Sequence, residues 1–229
     1  MENEKRNITQ YLKDLEEFRL PAYNEFPPIP LYMEQVISYI CECLKTFSGN
    51  KDAKEENNIL TPFMVNNYVK AKIIAPPKDK KYSKEHLGYL LAIALLKSVV
   101  SMKDIATLID LDGELFNDKK NLYDFFKNIQ EETLKKEIHK ANVRVETLSN
   151  ISKEKLKEGN CSESIEDLNL AYVALKLYIE AEIKKQIADT IMKEVTENTS
   201  SKSVIKESKK EANLNRKKES KEIKKIRNR

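Results

Sequence analysis

Amide and ammonium side chains cluster in one short stretch of this 229-residue sequence. Asn66 and Asn67 are adjacent, and Lys70 and Lys72 follow within two helical turns. An asparagine amide both donates and accepts hydrogen bonds, whereas a lysine carries a positive charge with three donors. Grouped on a helix, these side chains suit the base edges and phosphates of a nucleic acid. They also suit an ordinary solvated surface, and the residues alone leave both interpretations open.

The helix that must position these side chains begins at Thr61-Pro62. Threonine accepts hydrogen bonds from the free N–H groups at a helix start, and proline fits the first turn. The helical spacing continues to about Lys72. The apolar side of this helix is predicted to carry Val65, Tyr68, Val69 and Lys72. The opposite side is predicted to carry Phe63, Asn66, Asn67 and Lys70.

A proline-bearing turn and a strongly apolar helix follow. Residues 73–81 (IIAPPKDKK) combine two prolines with a lysine cluster and predict a turn or a short β-hairpin, called the wing below. Ser83 is a candidate N-cap for a helix over about 84–98, which is apolar almost all round and therefore belongs in a core. Ser101 and Asp104 have the spacing of a capping box, which predicts one more short helix.

Long helices flank this central segment. Before it, the apolar spacing predicts helices over 7–18 and 31–47, separated by a proline-rich strap from Leu20 to Pro30. After it, two amphipathic helices over about 119–148 and 163–195 predict a hairpin. The second hairpin helix is predicted to turn these apolar side chains inward: Leu168, Tyr172, Leu175, Ile179, Ile183, Ile187 and Ile191. Because a two-helix hairpin cannot cover both of its apolar stripes, a second copy of the chain is expected.

Charge is divided unevenly along the chain. Residues 59–109 hold 8 basic and 3 acidic side chains, a net charge of +5, and residues 199–229 hold 12 and 4, a net charge of +8. Residues 1–58 and 110–198 are acidic, so the whole chain carries only +4. Basic segments within an acidic protein indicate an anionic partner, with nucleic acid as the leading candidate. The basic tail is poor in apolar residues and is predicted to be disordered.

The stretch over residues 65–109 resembles the MerR-type winged helix-turn-helix. From its recognition helix onward, that family has an aliphatic residue followed by R-Y-Y-E, and later a glycine, a leucine, a hydrophobic residue and a proline. The same register here gives VNNYV, then KII and a proline. Asn66-Asn67 stands where the family has its phosphate-contacting Arg-Tyr, and Lys72 stands where it has glycine. The family's metal-binding cysteines have no counterpart near the C-terminal helices, so a metal effector is not expected.

A wider stretch, about residues 15–180, resembles an uncharacterised bacterial family, domain of unknown function 1836. Three motifs carry this resemblance. They are L-Y-M-x-Q-V at Leu31 to Val36, T-P-x-M-V-N-N-Y-V-K at Thr61 to Lys70, and K-Y-S-x-E-H-L at Lys81 to Leu87. The resemblance implies a family and no particular activity.

The winged-helix resemblance implies a mainly α-helical fold with a small β wing, followed by the long helices of the hairpin. Four parts are expected: N-terminal helices and strap (1–58), winged helix-turn-helix (59–110), dimerising hairpin (111–198) and basic tail (199–229). The implied function is binding of double-stranded DNA by a homodimer that regulates transcription. The side chains expected at the DNA are Thr61, Phe63, Asn66, Asn67, Lys70, Lys72, Lys78, Lys80, Lys81 and Tyr82. No arginine lies between Ile59 and Asp110, so the usual guanine contact is missing and A·T-rich or shape-defined sites are expected.

Other classes of function find little support in the sequence. It has no H-E-x-x-H, G-x-S-x-G or Walker motif, so neither an enzyme nor a bound cofactor is expected. Three cysteines without metal-site spacing predict no metal site. The charged residues 1–8 are unlike a signal peptide and no apolar run spans a bilayer, which predicts a cytoplasmic protein with no membrane contact. The alternative function is a protein-interaction or structural module whose winged helix does not bind DNA, and a small-molecule effector stays open.

Overall fold

The computed structural model describes residues 8–48, 59–115, 119–157 and 164–227. Within these ranges the chain is mainly α-helical, as predicted, with one two-stranded sheet. The elements in chain order are α1 (Ile8–Glu16), β1 (Leu31–Tyr32), α2 (Met33–Ser48), α3 (Pro62–Lys70), β2 (Lys81–Tyr82), α4 (Lys84–Leu96), α5 (Met102–Leu115), α6 (Lys119–Lys157) and α7 (Ser164–Arg227). Residue 7, where the first helix was predicted to begin, and residues 49–58, which follow the second predicted helix, lie outside the described residues.

Side chains from the first two predicted parts of the chain share one core. Val36 of α2, Val65 of α3 and Leu90 of α4 are all fully buried in it. The chain divides into two units, Met1–Tyr178 and Ile179–Arg229, and this core belongs to the first. Helices on both sides of residue 58 contribute to this core, because they cover each other's apolar faces. The division of the chain into four parts stays a prediction.

The strap is ordered and packs on α6. Phe26 is buried, and its ring centre lies 4.8 Å from that of Tyr123 on α6. The Tyr123 hydroxyl donates a hydrogen bond of 2.9 Å to the Pro21 carbonyl oxygen. Across the strap, the Arg19 guanidinium donates to both carboxylate oxygens of Glu25, at 2.8 and 3.2 Å. This hydrogen bonding lowers the pKa of Glu25 to about 2, so the pair stays ionised at neutral pH.

The sheet joins the strap to the wing. β1 pairs with β2 in antiparallel register, with Leu31 opposite Tyr82 and Tyr32 opposite Lys81. Leu31 and Tyr82 face the core, whereas Tyr32 faces solvent. The strand that supports the wing therefore comes from a segment about fifty residues earlier in the chain, a pairing that the wing sequence by itself does not reveal.

The wing itself is a minimal hairpin turn. The N–H groups of Lys78 and Lys81 each donate to the other residue's carbonyl oxygen, at 3.1 and 2.9 Å. Between them, Asp79 and Lys80 have φ values of 51° and 61°. Two successive left-handed residues are typical of the tight turn that matches the twist of paired strands. The predicted hairpin is thus confirmed in its shortest form.

The C-terminal helices differ in part from the predicted hairpin. Ile138 and Ala141 of α6 are buried, and Val173 of α7 is buried as well. The stripe predicted to face inward on α7 lies exposed instead, over Leu168, Tyr172, Leu175, Ile179, Ile183, Ile187 and Ile191. A helix beside a single neighbour buries only a narrow face, so a broad stripe stays open in one copy. The backbone of residues 199–227 continues α7 where disorder was predicted; Lys and Glu favour helix there and no glycine or proline interrupts it.

Replacing Gly88 by alanine is expected to lower the free energy of unfolding by about 1–2 kcal/mol, because it overpacks a tight contact. An added Cβ would lie 3.0 Å from Cδ2 of the Tyr123 ring, and this ring is held by Phe26 and by its hydrogen bond to Pro21. Alanine in a helix otherwise stabilises by about 0.5–1 kcal/mol relative to glycine. Chemical denaturation measures the effect. In a Tyr123→Ala background the same change should become neutral or stabilising, and a loss of equal size there would contradict this packing.

Candidate nucleic-acid interface

Helix α3 starts at a well-formed cap. The Thr61 hydroxyl oxygen accepts a hydrogen bond of 3.2 Å from the Met64 N–H, and Pro62 occupies the first turn, both as predicted. Val65 and Tyr68 turn into the core and are buried. Burying this side of the helix fixes which residues the other side presents. Thr61 thereby acts as the helix cap, and its hydroxyl is engaged in that role.

The outward side of α3 carries the predicted recognition residues. Phe63, Asn66 and Lys70 lie three and four residues apart on one face, and all three are exposed. Phe63 is 74% exposed, which is unusual for a large aromatic ring on an ordered helix. Asn67 lies at the edge of this face and is half-buried. The helix therefore offers two amides, one cation and one ring on or beside a single surface, called the α3 face below.

The end of α3 is closed by a left-handed residue. Lys72 has a φ of 58°, and its N–H donates 3.0 Å to the Val69 carbonyl oxygen. The Ile73 N–H donates 2.9 Å to the carbonyl oxygen of Tyr68. These two hydrogen bonds define a Schellman motif, and the buried side chain of Ile73 accompanies it. This type of helix end usually has glycine at the left-handed position. Lys72 is exposed, which corrects its predicted place on the apolar side: the helix ends before it, so it no longer follows the helical periodicity.

A lysine outside the predicted set holds the start of α3. Lys97 follows α4, and its Nζ donates 2.6 Å to the Ile59 carbonyl oxygen. The same ammonium lies 3.6 Å from the Met64 sulfur. Burial lowers the pKa of Lys97. Lys97 therefore positions the helix rather than facing an anionic ligand, a role that depends on a contact across 38 residues.

The wing presents three lysines and one aromatic ring. Lys78 and Lys80 are exposed on the turn, and Lys81 is half-buried. The Lys81 Nζ lies 5.1 Å from the centre of the Tyr32 ring, within the range of a cation–π interaction. Tyr32 is exposed beside the wing because β1 pairs with β2. Tyr32 is absent from the predicted contact residues, although it lies within the L-Y-M-x-Q-V motif at Leu31 to Val36.

Tyr82 does not belong to the exposed surface, and its predicted contact with DNA is corrected here. Its side chain is 3% exposed, and burial raises the pKa of its hydroxyl. The ring meets His86 edge-on, with 5.4 Å between the ring centres. His86 accepts 3.0 Å from the Ser83 N–H through Nδ1 and, through Nε2, donates 3.1 Å to the Ala75 carbonyl oxygen. Tyr82 and His86 thus brace the wing from inside.

The described part of the chain contains neither a cluster of metal ligands nor a membrane-spanning helix. Nowhere in the described ranges do three or more His, Cys, Asp or Glu side chains group closely enough to hold a metal ion. Cys41 and Cys43 are half-exposed thiols without a disulfide. Among the helices that the structure describes, none has the length and apolar composition needed to cross a membrane.

The fold and site therefore define a mainly helical protein with an exposed polar face on α3 and a lysine-bearing turn that follows this helix in the chain. Residues 21–130 match a family model described as Domain of unknown function (DUF1836). That part of the chain is therefore similar to a family of domains of unknown function. The match covers the strap from Pro21 onward, the α3 face and the wing. It is shorter than the stretch of about 15–180 over which the sequence motifs suggested the resemblance. Comparisons with curated proteins and with solved structures found no match.

Replacing Lys72 by glycine is expected to raise the free energy of unfolding by about 0.5–1 kcal/mol. A residue with a side chain costs about 1–2 kcal/mol in the left-handed region, and glycine removes this strain. Glycine also loses more conformational entropy on folding, which offsets about 0.5–1 kcal/mol of the stabilisation. Denaturant unfolding of the two proteins provides the comparison. The matched control is Lys70→Gly inside α3, which should lower the same free energy. A Lys72→Gly protein that is less stable than the wild type would show that residue 72 is not left-handed.

Proposed function

We propose that this protein binds double-stranded DNA through the α3 face and the wing, and that it regulates transcription in the bacterial cytoplasm with a MerR-like winged helix-turn-helix. The observation that carries the proposal is the α3 face, on which Phe63, Asn66 and Lys70 are exposed while Val65 and Tyr68 anchor the helix in the core. A helix held in this way can enter the major groove with its free face toward the base edges.

The chemistry of the α3 face suits adenine and thymine. An asparagine amide pairs with N6 and N7 of adenine, and an apolar ring packs against the methyl group of thymine. Asn66 with Asn67 supplies the amides, and Phe63 supplies the ring. No arginine lies in residues 59–110 to form the two-pronged contact with guanine. We therefore infer a preference for A·T-rich sites.

The lysines around this face suit the DNA backbone. Lys70 and Lys72 lie at the end of α3, and Lys78 and Lys80 lie on the wing turn. Residues 59–109 carry a net charge of +5. Lysines in these positions contact phosphates and set the register of the helix without reading sequence. Two copies acting together would present two α3 faces, which suits half-sites about 34 Å apart on one side of DNA.

A second function has an observation in its favour. Phe63 is 74% exposed, and a large exposed ring is also typical of a surface that binds another protein. In that case the winged helix would be an interaction module without affinity for DNA. The two functions differ in salt dependence, since a DNA complex releases counterions and a mainly apolar protein contact does not.

Binding to a duplex is expected to weaken steeply with salt. If each copy neutralises about four phosphates, affinity should fall roughly 100-fold between about 50 and 200 mM salt. Lys78→Ala and Lys80→Ala should each reduce the salt slope by about one, measured by fluorescence anisotropy. Lys135→Ala, an exposed lysine of α6, is the matched control and should leave the slope unchanged. Absence of binding at low salt would favour the protein-interaction alternative.

Selection of bound duplexes from a random pool should return A·T-rich sites. The Asn66→Ala, Asn67→Ala double variant should lose about 1–3 kcal/mol of discrimination at the bases these amides contact, while it keeps the salt slope of the wild type. Sequencing of the selected pools measures both effects. A G·C-rich consensus, or an unchanged consensus in the double variant, would contradict the assigned role of the α3 face.

A further inference from the structure

The imidazole ring of His86 connects α4 to the segment that leads into the wing, and it uses both of its nitrogens. Nδ1 accepts a hydrogen bond of 3.0 Å from the Ser83 N–H at the start of α4, and Nε2 donates 3.1 Å to the Ala75 carbonyl oxygen. Ala75 lies between α3 and the wing turn that begins at Lys78. The ring itself is half-buried against the edge of Tyr82. One side chain therefore holds the wing segment against α4.

These contacts require a neutral ring. A backbone N–H can only donate, so Nδ1 faces Ser83 with its lone pair and the ring proton lies on Nε2. An imidazolium carries protons on both nitrogens. The added proton on Nδ1 would point at the Ser83 N–H, so two donors would face each other at 3.0 Å. The Ser83 hydroxyl oxygen, 2.9 Å from Nδ1, is able to accept the new proton, but the Ser83 N–H still loses its partner.

The geometry couples this loss to the wing. The imidazole is rigid, so it cannot move Nδ1 away from the Ser83 N–H without moving Nε2 as well. The charged ring binds a carbonyl oxygen more strongly through Nε2 than the neutral ring does. The Ala75 carbonyl oxygen therefore either loses its donor or is displaced together with it. In both cases the wing segment changes its position relative to α4.

The surroundings of His86 add to this effect. His86 is the third residue of α4, and the free N–H groups of the first turn disfavour a positive charge there. Segment 73–77 (IIAPP) has no ionisable side chain, and burial raises the pKa of Tyr82, which stays neutral. The charged neighbours in the chain are Lys84 and Glu85 on α4, which have opposite charges, and Lys81 on β2.

A response to mildly acidic pH is assignable in this chain because it has only two histidines. Histidine is the side chain whose ordinary pKa, about 6.5, lies in the physiological range. The second histidine, His139, is exposed on α6. Substitution of each histidine in turn therefore separates the effect of one ring from that of the other.

We propose that His86 is a pH-sensitive latch on the wing, closed while the ring is neutral and opened when Nδ1 is protonated. This proposal rests on the DNA-binding function proposed above and names a regulation of the same site. The latch is closed above about pH 7 and opens as the pH falls through about 6, where an ordinary histidine becomes charged. DNA affinity therefore decreases on acidification. A basic protein without such a latch binds DNA more tightly in acid, because its histidines gain positive charge.

Affinity for a labelled duplex of random sequence, measured with the full-length protein at constant low salt, tests the latch. The affinity of the wild type should fall about fivefold to tenfold between about pH 7.5 and about pH 5.5, as expected for the loss of one or two hydrogen bonds. The His86→Gln variant should show no such fall. Glutamine does not titrate, and at this third helical position it also reaches back to the N–H of the capping residue. His139→Gln is the matched control and should behave as the wild type does.

Two outcomes of this measurement overturn the latch. One is an affinity of the wild type that stays constant or rises on acidification. The other is a fall of equal size in the His86→Gln variant, which would assign the response to another group.

Nuclear magnetic resonance of the wild-type protein tests the latch in the absence of DNA. The His139→Gln variant identifies which ring signals belong to His86. Above about pH 7 the ring nitrogens of His86 should show a lone pair on Nδ1 and a proton on Nε2. On acidification, the amide signals of Ser83, Ala75 and Lys78 should shift together with the His86 ring signals. A proton on Nδ1 at neutral pH, or amide signals that do not follow the ring, overturns the latch.

The two proposals fail in different ways. A wild type without affinity for the duplex at either pH would remove the DNA-binding function, while amide signals that follow the His86 ring would keep the latch in place. A wild type that binds the duplex equally well at both pH values, with amide signals that do not follow the ring, would remove the latch and leave the α3 face in place.

Discussion

The buried ring of Tyr123 is the contact on which the first unit depends. Its hydroxyl donates to the Pro21 carbonyl oxygen, its ring packs at a tilt against Phe26, and its edge lies where only a glycine, Gly88, leaves room on α4. One side chain of α6 thus joins the strap to the central helix of the core. Burial raises the pKa of Tyr123 far above its ordinary value, so the ring stays neutral and keeps its hydroxyl proton for this bond.

The candidate interface is positioned from the two ends of α4. At the start of that helix, His86 donates to the Ala75 carbonyl oxygen and supports the segment that leads into the wing. Just after its end, Lys97 donates to the Ile59 carbonyl oxygen and supports the start of α3. The α3 face and the wing are therefore held by one apolar helix whose place in the core depends on Tyr123. A surface that binds DNA needs this kind of rigid support, because small displacements of the helix change which base edges it reaches.

Local features of the interface follow from local sequence. Three local features involve residues within two turns of each other: the Thr61 cap, the cap formed by Ser101 with the Asp104 N–H, and the outward placement of Phe63, Asn66 and Lys70. Such features depend on backbone geometry that neighbouring residues determine, so spacing alone predicts them. The same reasoning predicted the apolar character of α4 and the helical character of α6 and α7, since hydrophobic periodicity needs no knowledge of the partner.

The sequence by itself determined most of the helices, the caps at Thr61 and Ser101, the turn residues of the wing and the charge of each segment. Only the tertiary structure decided that Tyr82 is buried while its neighbour in the sheet, Tyr32, is exposed beside Lys81. It also decided that the apolar stripe of α7 stays open in a single copy. The physical reason is the same in both cases. Periodicity shows that a face is apolar or polar, but burial depends on which distant element covers that face, and the pairing of β1 with β2 joins segments that share no local pattern.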